Sequence, residues 1–209
     1  MAYQSIWYYT NIPNKIIDII EEDLKDNFDN QLHDSRVGEG DYGTVDRDKR
    51  NARNAWVPTS HWISGFVWHY VQRANRENFC YDLTSIDGES VQYTQYGPGQ
   101  FYDWHIDAGI DSSYKPQFIV GSGTNLAQDN LTLDGEYIRK LSFSLQLSDI
   151  NDYTGGEVQF LDNSRRTYFA PKKRGTLILF DSRTPHRVRK VKSGLRKSLV
   201  GWVVGPRWK

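Results

Sequence analysis

The sequence has little of what marks several large classes of protein. Its single cysteine, Cys80, excludes an internal disulfide and a metal site built from several cysteines. Such cysteine usage is typical of a reducing compartment, so we expect a cytoplasmic protein. The apolar runs are far shorter than the roughly 20 residues of a membrane span, and residues 1–10 lack the basic start and apolar core of a signal peptide. We therefore expect no membrane partner.

Charge is balanced overall but unevenly distributed. The 209 residues carry a formal net charge of zero, yet residues 163–209 hold 14 Lys and Arg against one acid, Asp181. The plain interpretation is a basic face folded against an acidic one. The sharper hypothesis is a basic rim that attracts an anionic substrate or cosubstrate. Aromatic residues make up 14% of the chain and supply large side chains for a core.

The pattern of apolar residues changes near residue 85. Residues 13–29 have helical spacing, and a second helix is predicted to run to about residue 78 with Thr59 or Ser60 as its cap. About eight short alternating runs follow, which favour a mainly β fold with a double-stranded β-helix (jelly-roll) core and helices packed on one sheet. We predict one structural domain, with 1–85 as an N-terminal helical support segment and 86–209 as the jelly-roll core. Residues 30–54 and 108–139 lack a core pattern and are the candidate lids.

Candidate metal ligands come from an H-x-D pair and a distant histidine. His105 and Asp107 lie two residues apart, so on a strand both side chains point to the same face. His186, at the start of a later predicted strand, is the candidate third ligand. Two histidines and one carboxylate form the facial triad of non-haem Fe(II) oxygenases, although zinc also accepts these ligands. The other three histidines are better explained as surface or core residues.

An ordered series of short blocks surrounds these residues and covers about half of the chain, from Ser90 to Trp202. The blocks are Tyr96 to Trp104, Thr154 to Phe160, Gly175 to Asp181, His186 to Val188 and Gly194 to Ser198. This series resembles the Fe(II)- and 2-oxoglutarate-dependent dioxygenases of the prolyl 4-hydroxylase type, including the bacterial PKHD-type hydroxylases. The resemblance implies that 2-oxoglutarate is decarboxylated to succinate and CO2 while a C–H bond of a peptide, protein or amino-acid substrate is hydroxylated.

The resemblance also implies roles for individual residues. His105, Asp107 and His186 would be the iron ligands and the catalytic centre. Arg196 stands where the family binds the distal carboxylate of 2-oxoglutarate, and Lys197 would face the other side of the strand. The cosubstrate residues would also include the two tyrosines upstream of the H-x-D pair, Tyr96 and Tyr102. Besides Fe(II) and 2-oxoglutarate, ascorbate is a further candidate cofactor.

Three alternatives remain open from the sequence. A demethylase or hydroxylase of nucleic acid would share the fold and the basic C-terminal quarter, but the basic residues show no clear interleaving with aromatic ones. A cupin-like metalloenzyme that does not use 2-oxoglutarate would have no need of Arg196. A non-catalytic jelly-roll binding module would gain nothing from the metal ligands. The oligomeric state does not follow from the sequence.

Overall fold

The computed structural model describes residues 5–37, 44–108, 137–162 and 164–208. Within them, the larger sheet has eight antiparallel strands, in the order β1-β12-β8-β15-β6-β4-β2 with β5 beside β15. These strands are β1 (Ile6–Tyr9), β2 (His33–Asp34), β4 (Arg53–Pro58), β5 (Ser85–Ile86), β6 (Ser90–Tyr96), β8 (Tyr137–Gln146), β12 (Leu177–Asp181) and β15 (Arg196–Pro206).

A smaller sheet faces the inner side of the larger one. Its described strands follow the order β11-β10-β13-β7-β3, and β14 pairs with β9 in a separate ribbon. The strands are β3 (Arg50–Asn51), β7 (Phe101–His105), β9 (Tyr153–Gly155), β10 (Val158–Leu161), β11 (Thr167–Phe169), β13 (His186–Val188) and β14 (Val191–Gly194). At one end of the sandwich, Val158 and Phe160 of the smaller sheet pack against Ile178 and Phe180 of the larger one.

Two helices cover the outer side of the larger sheet. Helix α1 (Asn14–Phe28) and helix α2 (Trp62–Ala74) bury their apolar stripes against every second residue of the central strands. The predicted cap of α2 is wrong, because His61 occupies that position and its Nδ1 accepts from the backbone N–H of Ile63. The helix continues as a π-helical turn to Phe79. No helix in the described ranges is long and apolar enough to cross a membrane.

The predicted N-terminal support contributes strands as well as helices. Strands β1 to β5 begin before residue 86, and four of them join the larger sheet. The division of the chain at residue 85 stays a prediction. Residues 30–54, expected to form a loop, contain β2, β3 and the start of β4. Residues 38–43, and most of the insert at 108–139, lie outside the described residues, as do the lid predictions that depend on them.

Alternation along the central strands separates an apolar outer face from a polar inner one. Leu141, Phe143 and Leu145 of β8 face the helices, whereas the residues between them face the smaller sheet. The inner face is polar and buried although it lies within a sandwich; its buried residues include Gln92, Thr94, Ser142, Ser144, Gln146, Arg196 and Ser198. Buried polar groups need partners, and several of these side chains hydrogen-bond one another or their neighbours, so the space between the two sheets is lined by polar groups.

Candidate active site

The three predicted metal ligands meet where β7 ends and β13 begins. His105 is the last residue of β7, and His186 lies directly opposite it at the start of β13. Asp107 lies between the two imidazoles: its Oδ1 is 3.6 Å from His105 Nε2, and its Oδ2 is 3.4 Å from His186 Nε2. One ligand atom of each residue lies within 4.8 Å of the others, so the group could hold a metal ion.

Backbone carbonyls fix the orientation of both imidazole rings. His105 Nδ1 lies 2.7 Å from the carbonyl oxygen of Asp103, and His186 Nδ1 lies 2.9 Å from that of Thr184. A carbonyl oxygen only accepts, so each Nδ1 carries a proton and each Nε2 is the ring nitrogen that faces Asp107. Metal-ligating histidines commonly have such a partner on the second ring nitrogen.

The buried surroundings also favour the protonation states that bind metal. Burial, helped by His186, lowers the pKa of His105 to about 3, so its imidazole is neutral at pH 7. Burial works to raise the pKa of Asp107, but the two imidazoles and the Ser142 hydroxyl outweigh it and the pKa is lowered. Ser142 Oγ donates to Asp107 Oδ2 over 2.6 Å. Two neutral nitrogens and one carboxylate fit Fe(II), and they also fit Zn(II).

Tyr102 lies against the first histidine. Its ring stacks on that of His105, with 3.5 Å between the ring centroids and an angle of 15° between the ring planes. Tyr102 and His105 are three residues apart, so on a regular strand their side chains would point to opposite faces. The register of β7 against β13 shifts between them, which brings both to the inner side. Burial raises the pKa of Tyr102 to about 12, so its phenol stays protonated.

Arg196 and Tyr96 lie opposite each other on neighbouring strands, β15 and β6. Each is only 2% exposed, and the guanidinium carbon lies 5.6 Å from the centre of the tyrosine ring. Arg196 Nη1 donates to Ser198 Oγ over 3.2 Å, and the guanidinium also bonds the Tyr153 hydroxyl. Among the described residues, no carboxylate pairs with Arg196. A buried cation with neutral partners only is costly, so this position fits a ligand that brings a carboxylate.

Lys197 lies on the other side of the same strand. Its Nζ pairs with Glu21 Oε1 of α1, on the outer face of the sheet. The strand alternation therefore places Arg196 inside and Lys197 outside, as the sequence pattern predicts.

A turn with two glycines supports the side chain of Arg196. Gly155 and Gly156 both have positive φ, 76° and 63°, which glycine adopts without strain. A Cβ on Gly156 would come within 3.1 Å of Arg196 Cδ and 2.9 Å of Val191 Cγ2. The two glycines therefore form a tight turn, and the second one also leaves space for the arginine.

The basic C-terminal quarter supplies cations to the outer side of the smaller sheet. Three of them lie over aromatic rings there: Arg187 over Trp104, Lys190 over Phe101 and Arg189 over Phe169. The expectation of no aromatic interleaving is therefore wrong, because strand pairing joins residues far apart in the sequence. A cation of the protein lies over one face of each of these rings, which leaves less of that face for stacking with a nucleobase.

Sequence reasoning missed two residues of the inner side. Arg50 was part of a segment expected to be a loop, but it lies on β3 opposite Tyr102 and is only 7% exposed. Trp202 lies on the inner side of β15, and none of the described residues forms a hydrogen bond with its buried Nε1. The alternation of β15 could have placed Trp202 inside. No local signal could have placed Arg50, because its neighbour is 52 residues away.

Comparison with known proteins agrees with this geometry. A PKHD-type hydroxylase of Synechococcus elongatus is 31% identical over 136 residues, which cover 64% of this chain and 52% of that relative. The chain thus spans about half the length of the curated relatives it matches. A prolyl-4-hydroxylase of Pseudomonas putida is 16% identical with a TM-score of 0.68, covering 98% of this chain and 94% of that one.

A second solved structure shares the fold at a similar level. It is a prolyl hydroxylase of Trichoplax adhaerens in complex with a hypoxia inducible factor peptide fragment, with a TM-score of 0.69 and 16% identity over 95% of this chain and 83% of that one. These likenesses confirm the predicted mainly β jelly-roll fold. Residues 91–204, more than half of the chain, match the sequence profile of the 2OG-Fe(II) oxygenase superfamily. The chain belongs to the 2OG-Fe(II) oxygenase superfamily.

Proposed function

We propose that the protein is an Fe(II)- and 2-oxoglutarate-dependent dioxygenase that hydroxylates a peptidyl or free amino acid. In the balanced reaction, 2-oxoglutarate, O2 and a substrate C–H give succinate, CO2 and a substrate C–OH. The proposal is carried by one juxtaposition: a His-Asp-His group with largely buried side chains lies on the inner side of the same sandwich as a buried arginine that no described carboxylate pairs with.

His105, Asp107 and His186 would hold the iron. Bound there, Fe(II) supplies the activation of O2 that no amino-acid side chain provides. The protein orients both imidazoles through their Nδ1–H bonds to backbone carbonyls. Ser142 holds the carboxylate of Asp107 in place. Three ligands on one side leave other coordination positions for the cosubstrate and O2.

Arg196 would bind the distal carboxylate of 2-oxoglutarate, with Tyr96 beside it. A guanidinium is a permanent cation, and its partners here leave N–H groups for a carboxylate. Tyr102, stacked on His105, would form the wall between the cosubstrate and the substrate side. Buried walls exclude water from the reaction. Ascorbate stays a prediction.

The substrate class rests on the relatives. Structures with the same fold are named prolyl hydroxylases, and one of them holds a peptide fragment. The cupin-like alternative has no use for a buried Arg196. The nucleic-acid alternative has less support, since the aromatic rings on the basic outer face are covered by cations.

The test is Fe(II)-dependent formation of succinate from 2-oxoglutarate, measured against a panel of amino acids, peptides and oligonucleotides. We expect amino acids or peptides to stimulate succinate release in the wild type and not in Asp107→Ala. Lys197→Gln is the control, because it changes a charge on the outer face. Stimulation by oligonucleotides alone, or release that does not need Fe(II), would contradict the proposal.

A further inference from the structure

Arg50 is a second buried cation on the inner side, separate from Arg196. Its Nη2 donates to Gln92 Oε1, and its Nη1 donates to the backbone carbonyl oxygen of Arg36 over 3.4 Å. Its Nε is buried and has no hydrogen-bond partner among the described residues. The described residues give it no carboxylate. A charged side chain that is 7% exposed and keeps an unused donor is costly unless a ligand completes its contacts.

The position of Arg50 relates it to the metal ligands. Its guanidinium carbon lies 4.7 Å from the centre of the Tyr102 ring, which in turn stacks on His105 at 3.5 Å. Arg50 is therefore the third layer of a stack that starts at a proposed iron ligand. It lies beside β6 at Gln92, four residues along the strand from Tyr96, which pairs with Arg196. The two cations thus occupy different levels of the inner side.

A second unused donor lies on the same inner face. Within the described part of the chain, the buried Nε1 of Trp202 has no hydrogen-bond partner, and the Trp202 ring lies 6.4 Å from that of Trp56. Trp56 is the strand partner of Gln92, which holds Arg50. The Arg50 cation lies over Tyr102, and the Trp202 indole N–H lies beside Trp56. Two donors next to large aromatic rings suit a ligand in which a carboxylate is attached to an apolar body.

We propose that Arg50, assisted by Trp202, binds a carboxylate of the substrate. This inference rests on the proposed function and deepens it, because it restricts the substrate to one with a carboxylate near the C–H bond that reacts. The carboxylate can be the α-carboxylate of a free amino acid or an acidic side chain of a peptide. Both sources present the same carboxylate group to Arg50, and the experiments below distinguish them.

The direct test is a nuclear magnetic resonance titration of the Arg50 Nε–H and Trp202 Nε1–H signals. The protein is loaded with Zn(II) and saturating 2-oxoglutarate, so that Arg196 is occupied and no turnover takes place. The signals are assigned by their loss in Arg50→Lys and Trp202→Phe. We expect acetate to shift both signals saturably and acetamide to leave them in place. No saturable shift with acetate, or the same shift with acetamide, would overturn the proposal.

The source of the carboxylate is tested by succinate release in the Fe(II) enzyme. Free amino acids are compared with their amides, and capped glutamate peptides with the matching glutamine peptides. Arg50→Gln should raise the KM of the carboxylate substrate by about 30-fold or more while kcat changes less. Arg53→Gln is the matched control, since Arg53 is exposed and its Nη2 donates to the backbone carbonyl oxygen of Leu32. Unchanged KM in Arg50→Gln would overturn the proposal.

The two hypotheses fail in different ways. If the wild type releases no succinate in an Fe(II)-dependent reaction, the proposed function is wrong. If it does, and acetate leaves the Arg50 signal in place, the proposed carboxylate subsite is wrong and the function stands. The titration decides the subsite even where no compound of the panel is turned over.

Discussion

Replacing Arg196 by glutamine removes a buried cation from the cavity and keeps a polar side chain of similar width. The residue is 2% exposed and bonds only neutral hydroxyls in the described structure. Removing one partner of a buried, hydrogen-bonded charge pair typically costs about 2–5 kcal/mol. Arg196→Gln should therefore weaken 2-oxoglutarate binding by roughly 30-fold to several thousand-fold.

The assay is titration calorimetry of 2-oxoglutarate into the Zn(II)-loaded protein, with urea unfolding measured in parallel. Without ligand, the substitution removes a charge that has no counterion, so the free energy of unfolding should stay the same or rise. A purely structural role of Arg196 would instead lower it. The affinity for Zn(II) should change little, because the three metal ligands do not contact the guanidinium.

Lys197→Gln is the matched control, one residue along the same strand. Its partner is Glu21 on the outer face, so 2-oxoglutarate binding should change less than about twofold, while the lost ion pair costs at most about 1 kcal/mol of stability. Equal losses of affinity in the two variants, or a larger loss in Lys197→Gln, would refute the assignment of the inner face.

Three further predictions follow from the site. Burial lowers the pKa of His105 from 6.5 to about 3, so between these two pH values the unfolded chain binds more protons than the folded one. The free energy of unfolding of the metal-free protein should therefore fall as the pH drops below about 6.5, by up to about 1.4 kcal/mol per pH unit. Urea titrations check this, and a profile that stays the same in His105→Asn would contradict it. Gly156→Ala should cost about 1–2 kcal/mol of stability and weaken 2-oxoglutarate binding, whereas Gly99→Ala, also at positive φ but with open space around its Cβ, should affect stability alone. Ser142→Ala should lower metal affinity about 10- to 100-fold in a chelator competition assay, since Asp107 loses the hydroxyl that orients it; unchanged affinity would show that the hydrogen bond is dispensable.

Local patterns were sufficient to predict most of the elements. The alternation of residues 90–96 predicts a strand that the structure has with the same bounds, and the helical spacing of 13–29 gives α1 to within one residue. Period-two alternation also predicts that the side chains of His105 and Asp107 point to the same face, and that Arg196 and Lys197 point to opposite faces of β15. These predictions succeed because they need only the neighbours along one strand.

Features that depend on pairing between distant strands were not accessible. Arg50 joins the inner side only because β3 pairs with β7, and its own segment is polar and glycine-containing. The cations over Trp104 and Phe101 come from residues more than 80 positions away. The shift of register that brings Tyr102 to the same side as His105 is likewise a property of the strand pair.

The central claim is that His105, Asp107 and His186 hold Fe(II) while 2-oxoglutarate binds beside them. Its most direct test is the visible absorbance of the protein titrated anaerobically with Fe(II) in the presence of 2-oxoglutarate. We predict a weak metal-to-ligand charge-transfer band in the wild type and none in Asp107→Ala. No band in the wild type, or a band of full strength in Asp107→Ala, would contradict the account.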